Sequence, residues 1–344
     1  MSTSSNRHVL WLDSPAELLA LVPYLIGYHP TSSLVMVALA DQRVIVVARL
    51  DLPTTDDETR EVLASVHRAA DVASEEGATG AILIGYGPDE LVRPCIEAIT
   101  DLLTPRSMPV IEALRVADGR YWSYRCDNPA CCPPEGAMFD PTTSAAAATA
   151  TAAGLVALPD RAAVADRLGP VTGDARDGMA WATGAAMHAV TDVIETFVSN
   201  AREDEDTTRA TRLGRALLLV GLKSLVLAEN RYESGTPVDD VDAAILTVLL
   251  SLPSIRAAAA RRTTGRPWEV DMWVDLVRRA EPPFTAGPAT ILAVSALHAG
   301  DGTLANLAVD RALQADPTDN LANEVAMAVA AGVDPRSIVA LLIG

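Results

Sequence analysis

"GAILIGYGPDELVRPCIEAITDLL", residues 80–103, changes its pattern halfway. "GAILIGYG" is a short, fully apolar run, the kind of strand that is buried on both faces. Gly87 and Pro88 break it, and "PDELVRPCIEAITDLLT" from 88 to 104 reads as a helix with Pro94 near its first turns. Next, "MPVIEALRVADGRYWSYRC" (108–126) reads as two strands around Asp118-Gly119. That dipeptide suits a type I′ turn, which needs positive φ at both central positions. A strand, a helix and a strand in this order imply a crossover and some parallel pairing. Upstream, "SLVMVALA" (33–40) and "RVIVVARLDL" (43–52) are β-branched runs split by "DQ", a hairpin pattern. "DDETREVLASVHRAADVASEEG" (56–77) is an amphipathic helix with Val62, Val66, Ala69, Ala70 and Ala73 on one face, closed by Gly77. Ser14, Pro15 and Glu17 form a capping-box pattern opening "PAELLALVPYLIG", which Pro23 ends or bends. "RHVLWL" (7–12) reads as a short strand. The expectation is a mixed α/β sheet domain over 1–140, ending in a Cys-rich loop.

From Ser144 the strand signals vanish. Helices are expected in "SAAAATATAAG", stopped by Gly154, and in "DRAAVADRLG", opened by Asp160. A long helix is expected from about Asp177 to Arg202, with "EDED" (203–206) as a solvated connection or an acidic first turn. Further helices are expected through "TRLGRALLLVGLKSLVLAEN", "VDDVDAAILTVLLSL" and "PWEVDMWVDLVRRA". In the last, Val270, Trp273, Val274 and Val277 form a stripe. In "PATILAVSALHAGDGTLANLAVDRALQADP" (288–317), Ala289, Leu292, Ala293, Ala296, Ala305, Val309, Ala312 and Pro317 follow a spacing similar to the tetratricopeptide helix pair. One copy plus a helix over 321–331 makes a repeat-like hairpin rather than a solenoid. The second domain, 141–344, is therefore expected to be all-α with a tetratricopeptide-like C-terminal hairpin.

The 344 residues exceed one ordinary small domain, and 49% hydrophobic content is enough for real cores. Lys223 is the only lysine, which fits the coding bias of a GC-rich genome. A net charge of −18 with no basic stripe disfavours nucleic acid and anionic membrane surfaces. The N-terminal "MSTSSNRHVLWLDSP" has no signal-peptide pattern, and Arg215 and Lys223 interrupt the most apolar helix. Four cysteines, three of them clustered, do not make a secreted disulfide framework. The expectation is a cytoplasmic protein. The sequence leaves its oligomeric state open.

Chemistry concentrates in "YRCDNPACCPPEG", residues 124–136. Cys126, Cys131 and Cys132 are a candidate metal set, with zinc the ion such thiolates suit. The spacing lacks a second cysteine pair. A fourth ligand would come from His29, Asp127, Glu135 or Cys95. His29 is the first choice, because Pro30 holds it extended on a loop at a strand end. Adjacent Cys131 and Cys132 are expected to have difficulty pointing at one ion. Thiol catalysis and a reversible disulfide from Cys126 to one of the pair are further readings. The favoured one is a Pro-rigid loop whose cysteines pack under the sheet. Gly85, Tyr86 and Gly87 are a candidate anion site at a helix N-terminus, weighed against a plain strand-to-helix turn. There is no Walker lysine, no G-x-G-x-x-G, no G-x-S-x-G and no H-E-x-x-H. His67, His188 and His298 have no partner at ligand spacing.

Seven stretches together carry a family resemblance: "SPAELLALVPYLIGYHPTSSLVMVAL" (14–39), "GYGPD" (85–89), "LRVADGRYWSY" (114–124), "CDNPACCPPEG" (126–136), "AAGLVALPDRAAV" (152–164), "DMWVDLVRRA" (271–280) and "AGDGTLANLAVDRALQADP" (299–317). The chain resembles the actinobacterial family called domain of unknown function 4192 over nearly its whole length. The resemblance implies a cytosolic actinobacterial protein and brings no catalytic residues with it. The leading functional expectation is a non-catalytic binding or scaffold protein that meets a protein partner through its helical domain. The alternative is a metal- or thiol-dependent enzyme with its site between "GYHP", "GYGPD" and "CDNPACC".

Overall fold

The structure, a computed structural model, describes residues 14–41, 43–153, 155–199 and 206–330. The "RHVLWL" strand, the Gly154 stop, the far end of the long helix and most of "EDED" lie outside the described residues. The chain divides into two compact units, Met1–Val164 and Ala165–Gly344.

The first unit is built on a six-stranded sheet of order β2-β1-β3-β4-β5-β6. Its strands are β1 (Ser33–Ala40), β2 (Arg43–Asp51), β3 (Gly80–Tyr86), β4 (Val110–Ala117), β5 (Arg120–Ser123) and the two-residue β6 (Ala137–Met138). Within this sheet β3 and β4 pair in parallel, and α3 (Asp89–Leu103) crosses between them. The other neighbours are antiparallel. A second helix, α2 (Asp56–Glu75), leads from β2 to β3 past the intervening β1. The mixed sheet expected from the alternation of periods is the one observed.

Local chemistry explains the element ends. Thr55 caps α2 through the Glu58 amide at 3.2 Å, and the Glu58 carboxylate returns to the Thr55 amide, completing a capping box. Asp118 (φ 52°) and Gly119 (φ 70°) make the turn between β4 and β5. One face of the sheet buries Leu34, Met36 and Leu83 against Val66 and Ala70 of α2 and Ile96 and Ile99 of α3. Full burial of each large aliphatic side chain contributes about 1.5–3 kcal/mol.

The capping box expected at the N-terminus is half formed. Ser14 accepts from the Glu17 amide at 3.3 Å and caps α1 (Pro15–Ile26), which continues past Pro23 to Gly27. The Glu17 carboxylate turns away to accept from the Ala145 amide at 3.3 Å. That amide opens α4 (Ala145–Ala152), whose Ala146 and Ala150 pack on Leu21. The first unit therefore runs past residue 140 and into the short α5 (Arg161–Asp166).

The second unit is helical: α6 (Asp174–Ser199), α7 (Asp206–Glu233), α8 (Asp240–Leu249), α9 (Pro253–Arg262), α10 (Pro267–Arg279), α11 (Ala286–Ala299), α12 (Gly302–Ala315) and α13 (Asn320–Ala330). Ile291, Leu292, Ala293 and Val294 are all fully buried, so α11 is a core helix apolar all round. In the stripe of α10, Trp273 and Val277 are buried, while Val270 and Val274 are partly buried against the same core. Sequence reading missed α9. Its alanines carry no amphipathic signal, and Pro253 at its first turn was the available clue. Among the described residues no single helix is long and apolar enough to cross a membrane.

Candidate functional site

The cysteine loop is mounted on the hairpin of β4 and β5. Arg115 and Trp122 face each other across the two strands, and the guanidinium carbon lies 3.6 Å from the indole centroid. This stacking holds the indole in place. Trp122 Nε1 then donates to the Pro134 carbonyl at 3.0 Å, and Arg120 Nη1 to the Gly136 carbonyl at 2.8 Å. Gly136 has φ 83°, and a Cβ there would meet the Trp122 ring at 2.5 Å. Only glycine suits both demands. These contacts return the chain to β6, with the three cysteines in the connection between β5 and β6.

Inside the loop, Asn128 organises the turn. Its Oδ1 accepts from the Ala130 amide at 3.0 Å, and its carbonyl accepts from the amides of Cys131 and Cys132 at 3.2 and 2.8 Å. This tight turn removes the alternation that would send adjacent side chains apart. The Sγ atoms of Cys126, Cys131 and Cys132 all lie within 4.8 Å of one another, and Cys126 and Cys131 are 3.3 Å apart. The expectation that Cys131 and Cys132 diverge is therefore corrected. So is the expectation that the thiols pack under the sheet, since Cys131 is exposed and the other two are half-buried. Hydrogen bonds from Cys132, the Asn128 backbone and Cys131 hold the Cys126 thiol below its ordinary value. Cys132, as donor to Cys126, is pushed up to about 12.

The other candidates do not join this group. No histidine or carboxylate among the described residues brings a ligand atom into it. Cys95 is buried in the core on α3, and burial raises its thiol. His29 is exposed, with its amide donating to the Leu158 carbonyl at 2.9 Å. His67 does have partners, Asp71 at 2.9 Å and Arg106 at 2.6 Å, in an exposed network on α2.

A separate open cleft of about 570 Å³ lies at the C-terminal ends of β3 and β4. Ser32, Tyr86, Gly87, Asp89, Arg115 and Asp118 are among the residues that line it, and neither His29 nor the cysteines do. Asp89 is its hub. It accepts from the Tyr124 hydroxyl at 2.7 Å and from Arg93 Nε at 3.0 Å, and pairs with Arg115 at 3.5 Å. Burial alone would raise the Asp89 carboxyl; the hydrogen bonds from Tyr124 and Arg93 outweigh it and hold the group low. The Tyr124 hydroxyl is raised by burial and by Asp89. Tyr86 and Gly87 of the candidate anion site reach the cleft, but Gly85 lies against Val92. Glu90 and Asp118 also line the cleft, which weakens its attraction for an anion.

A family model described as Domain of unknown function (DUF4192) matches residues 15–336. The chain belongs to this family. The match spans both units and includes the cysteine loop and the cleft. No curated protein and no solved structure matches the chain. The family's description assigns no chemistry, so the reading of this DUF4192 member rests on geometry. Sequence reasoning overlooked Asp89, Arg115, Trp122 and Tyr124. Asp89 reads in the sequence only as the last residue of the strand-to-helix turn "GYGPD", and the available signal is Arg115, a charge inside the apolar strand "VIEALRVA".

Proposed function

We propose that this protein binds a thiophilic metal ion, of which zinc is the representative case, through Cys126, Cys131 and Cys132. The observation that carries the reading is the mutual approach of the three sulfurs within 4.8 Å. A tetrahedral ion with Zn–S near 2.3 Å needs its sulfurs about 3.8 Å apart, so small side-chain rotations complete the set. Thiolates, not thiols, are the ligands, so loading releases protons from the cysteines. The exposed Cys131 side leaves the fourth position to water or an exogenous donor. His29 is not part of this set.

The test is elemental mass spectrometry on protein purified without a metal-binding tag. About one zinc per chain is expected, lost in Cys126→Ser and in Cys131→Ser with the thermal unfolding midpoint held. A wild-type chain that stays metal-free after incubation with zinc overturns the reading.

The helical unit supports a second reading, a protein-binding surface on α6 and α7. Trp181 of α6 is 73% exposed, and Leu219 of α7 is 60% exposed. Single exposed apolar residues are ordinary, but an exposed tryptophan is the residue type enriched at binding hot spots. Cross-linking in extracts of the source cells should capture a partner that Trp181→Ala loses without a change in stability. Equal capture by the variant removes this reading.

A further inference from the structure

We propose that Cys126 and Cys131 form a reversible dithiol that exchanges with low-molecular-weight disulfides, with Cys132 outside the bond that forms. This goes beyond metal binding, and it excludes metal binding at any one moment, because a sulfur in a disulfide is no longer an anionic ligand.

Distance and chain geometry carry the pairing. Cys126 and Cys131 Sγ are 3.3 Å apart, and a disulfide bond is about 2.05 Å, so closure needs a movement of roughly 1.3 Å. The alternative within the vicinal pair is poor: Cα atoms across a trans peptide are about 3.8 Å apart, below the roughly 4.4–6.8 Å that disulfides span. Accessibility gives the order of events. Cys131 is exposed and Cys126 is half-buried. The loop is held at its base by Trp122 and Arg120, so its top can adjust without disturbing the sheet.

The exchange runs in two balanced steps. The Cys131 thiolate attacks one sulfur of an external disulfide RSSR. A Cys131–SR bond forms, the S–S bond of RSSR breaks, and the first RS⁻ leaves and takes up the proton that Cys131 lost. The Cys126 thiolate then attacks the Cys131 sulfur. The Cys126–Cys131 bond forms, the Cys131–SR bond breaks, and the second RS⁻ leaves with the proton from Cys126. The protein loses two electrons and RSSR gains them, giving two RSH.

The probe is glutathione disulfide, added to the full chain after chelator treatment and reduction. Loss of two thiols per chain is expected, with a Cys126–Cys131 cross-linked peptide by mass spectrometry, reversed by dithiothreitol. Cys132→Ser gives up one of the three metal ligands but should still form the Cys126–Cys131 cross-link. Cys126→Ser should stop at a mixed disulfide on Cys131, because the resolving thiol is gone. Preloading with zinc should slow the loss of thiols roughly tenfold or more, because metal-bound thiolates are withheld from attack. A wild-type chain that keeps its thiols, retains the mixed disulfide, or cross-links through Cys132 overturns the proposal. Failure of the metal reading has a different signature: the metal-free chain oxidises as described, but zinc neither binds nor protects.

Discussion

Asp319→Ala is expected to remove about 3–5 kcal/mol of stability, because it strands a buried guanidinium. Arg256 sits on α9 and its side chain is 10% exposed; Asp319 stands just before α13 and its side chain is 5% exposed. Arg256 Nη1 donates to Asp319 Oδ2, while the buried Arg256 Nε has no hydrogen-bond partner. The carboxylate is thus the counter-charge that makes burial of Arg256 tolerable. Its other oxygen, Oδ1, accepts from the Ala322 amide at 2.9 Å and caps α13, so alanine removes a cap as well. The urea midpoint should fall with the slope unchanged. Asp319→Asn keeps a capping oxygen and should recover part of the loss. Replacing the pair together, Arg256→Met with Asp319→Asn, should be less damaging than Asp319→Ala, since no unpaired charge stays inside. A loss under about 1 kcal/mol for Asp319→Ala would mean that water reaches the guanidinium and that the pair behaves as a surface ion pair.

What the sequence disclosed and what it withheld divide along one physical line. Elements set by neighbours in the chain were legible. The apolar run of β3, the positive-φ dipeptide Asp118-Gly119 and the stripe of Val62, Val66, Ala70 and Ala73 on α2 each carry their signal within a few residues. Features made by distant residues were not. Glu17 satisfies an amide 128 residues away, where local spacing suggested its own helix. Asp89 meets Tyr124 from 35 residues off, so a hub of the cleft looked like a helix opening. The cysteine cluster lies between these cases. Its members were visible by residue type, but the turn at Asn128 that converges them depends on backbone geometry that residue spacing does not encode. Nor did the sequence show that Trp122 serves as the peg beneath the loop.

Gly85 shows how the same residue changes meaning once its neighbours are known. In "GYGPD" it reads as the end of a strand that leads into a helix N-terminus, a place for an anion to meet backbone amides. In the fold it is the sixth residue of β3, buried, and a Cβ there would lie 2.2 Å from Val92 Cγ1 and 2.9 Å from Cγ2. Val92 is β-branched and stiff at χ1, and it is fully buried, so it has little freedom to yield. Gly85→Ala should therefore push α3 away from β3 and cost about 1–3 kcal/mol, the range for overpacking a core. Asp89 opens α3, so the same displacement should loosen its hydrogen bond with Tyr124. The discriminating experiment is a double-mutant cycle with Val92→Ala. If the glycine serves packing, the second substitution clears the space and the double variant is more stable than the sum of the single losses predicts, by about 0.5–3 kcal/mol. If the two losses add, Val92 is not what excludes a side chain at 85. A loss of bound anion without a loss of stability in Gly85→Ala would return the residue to the role its motif suggested.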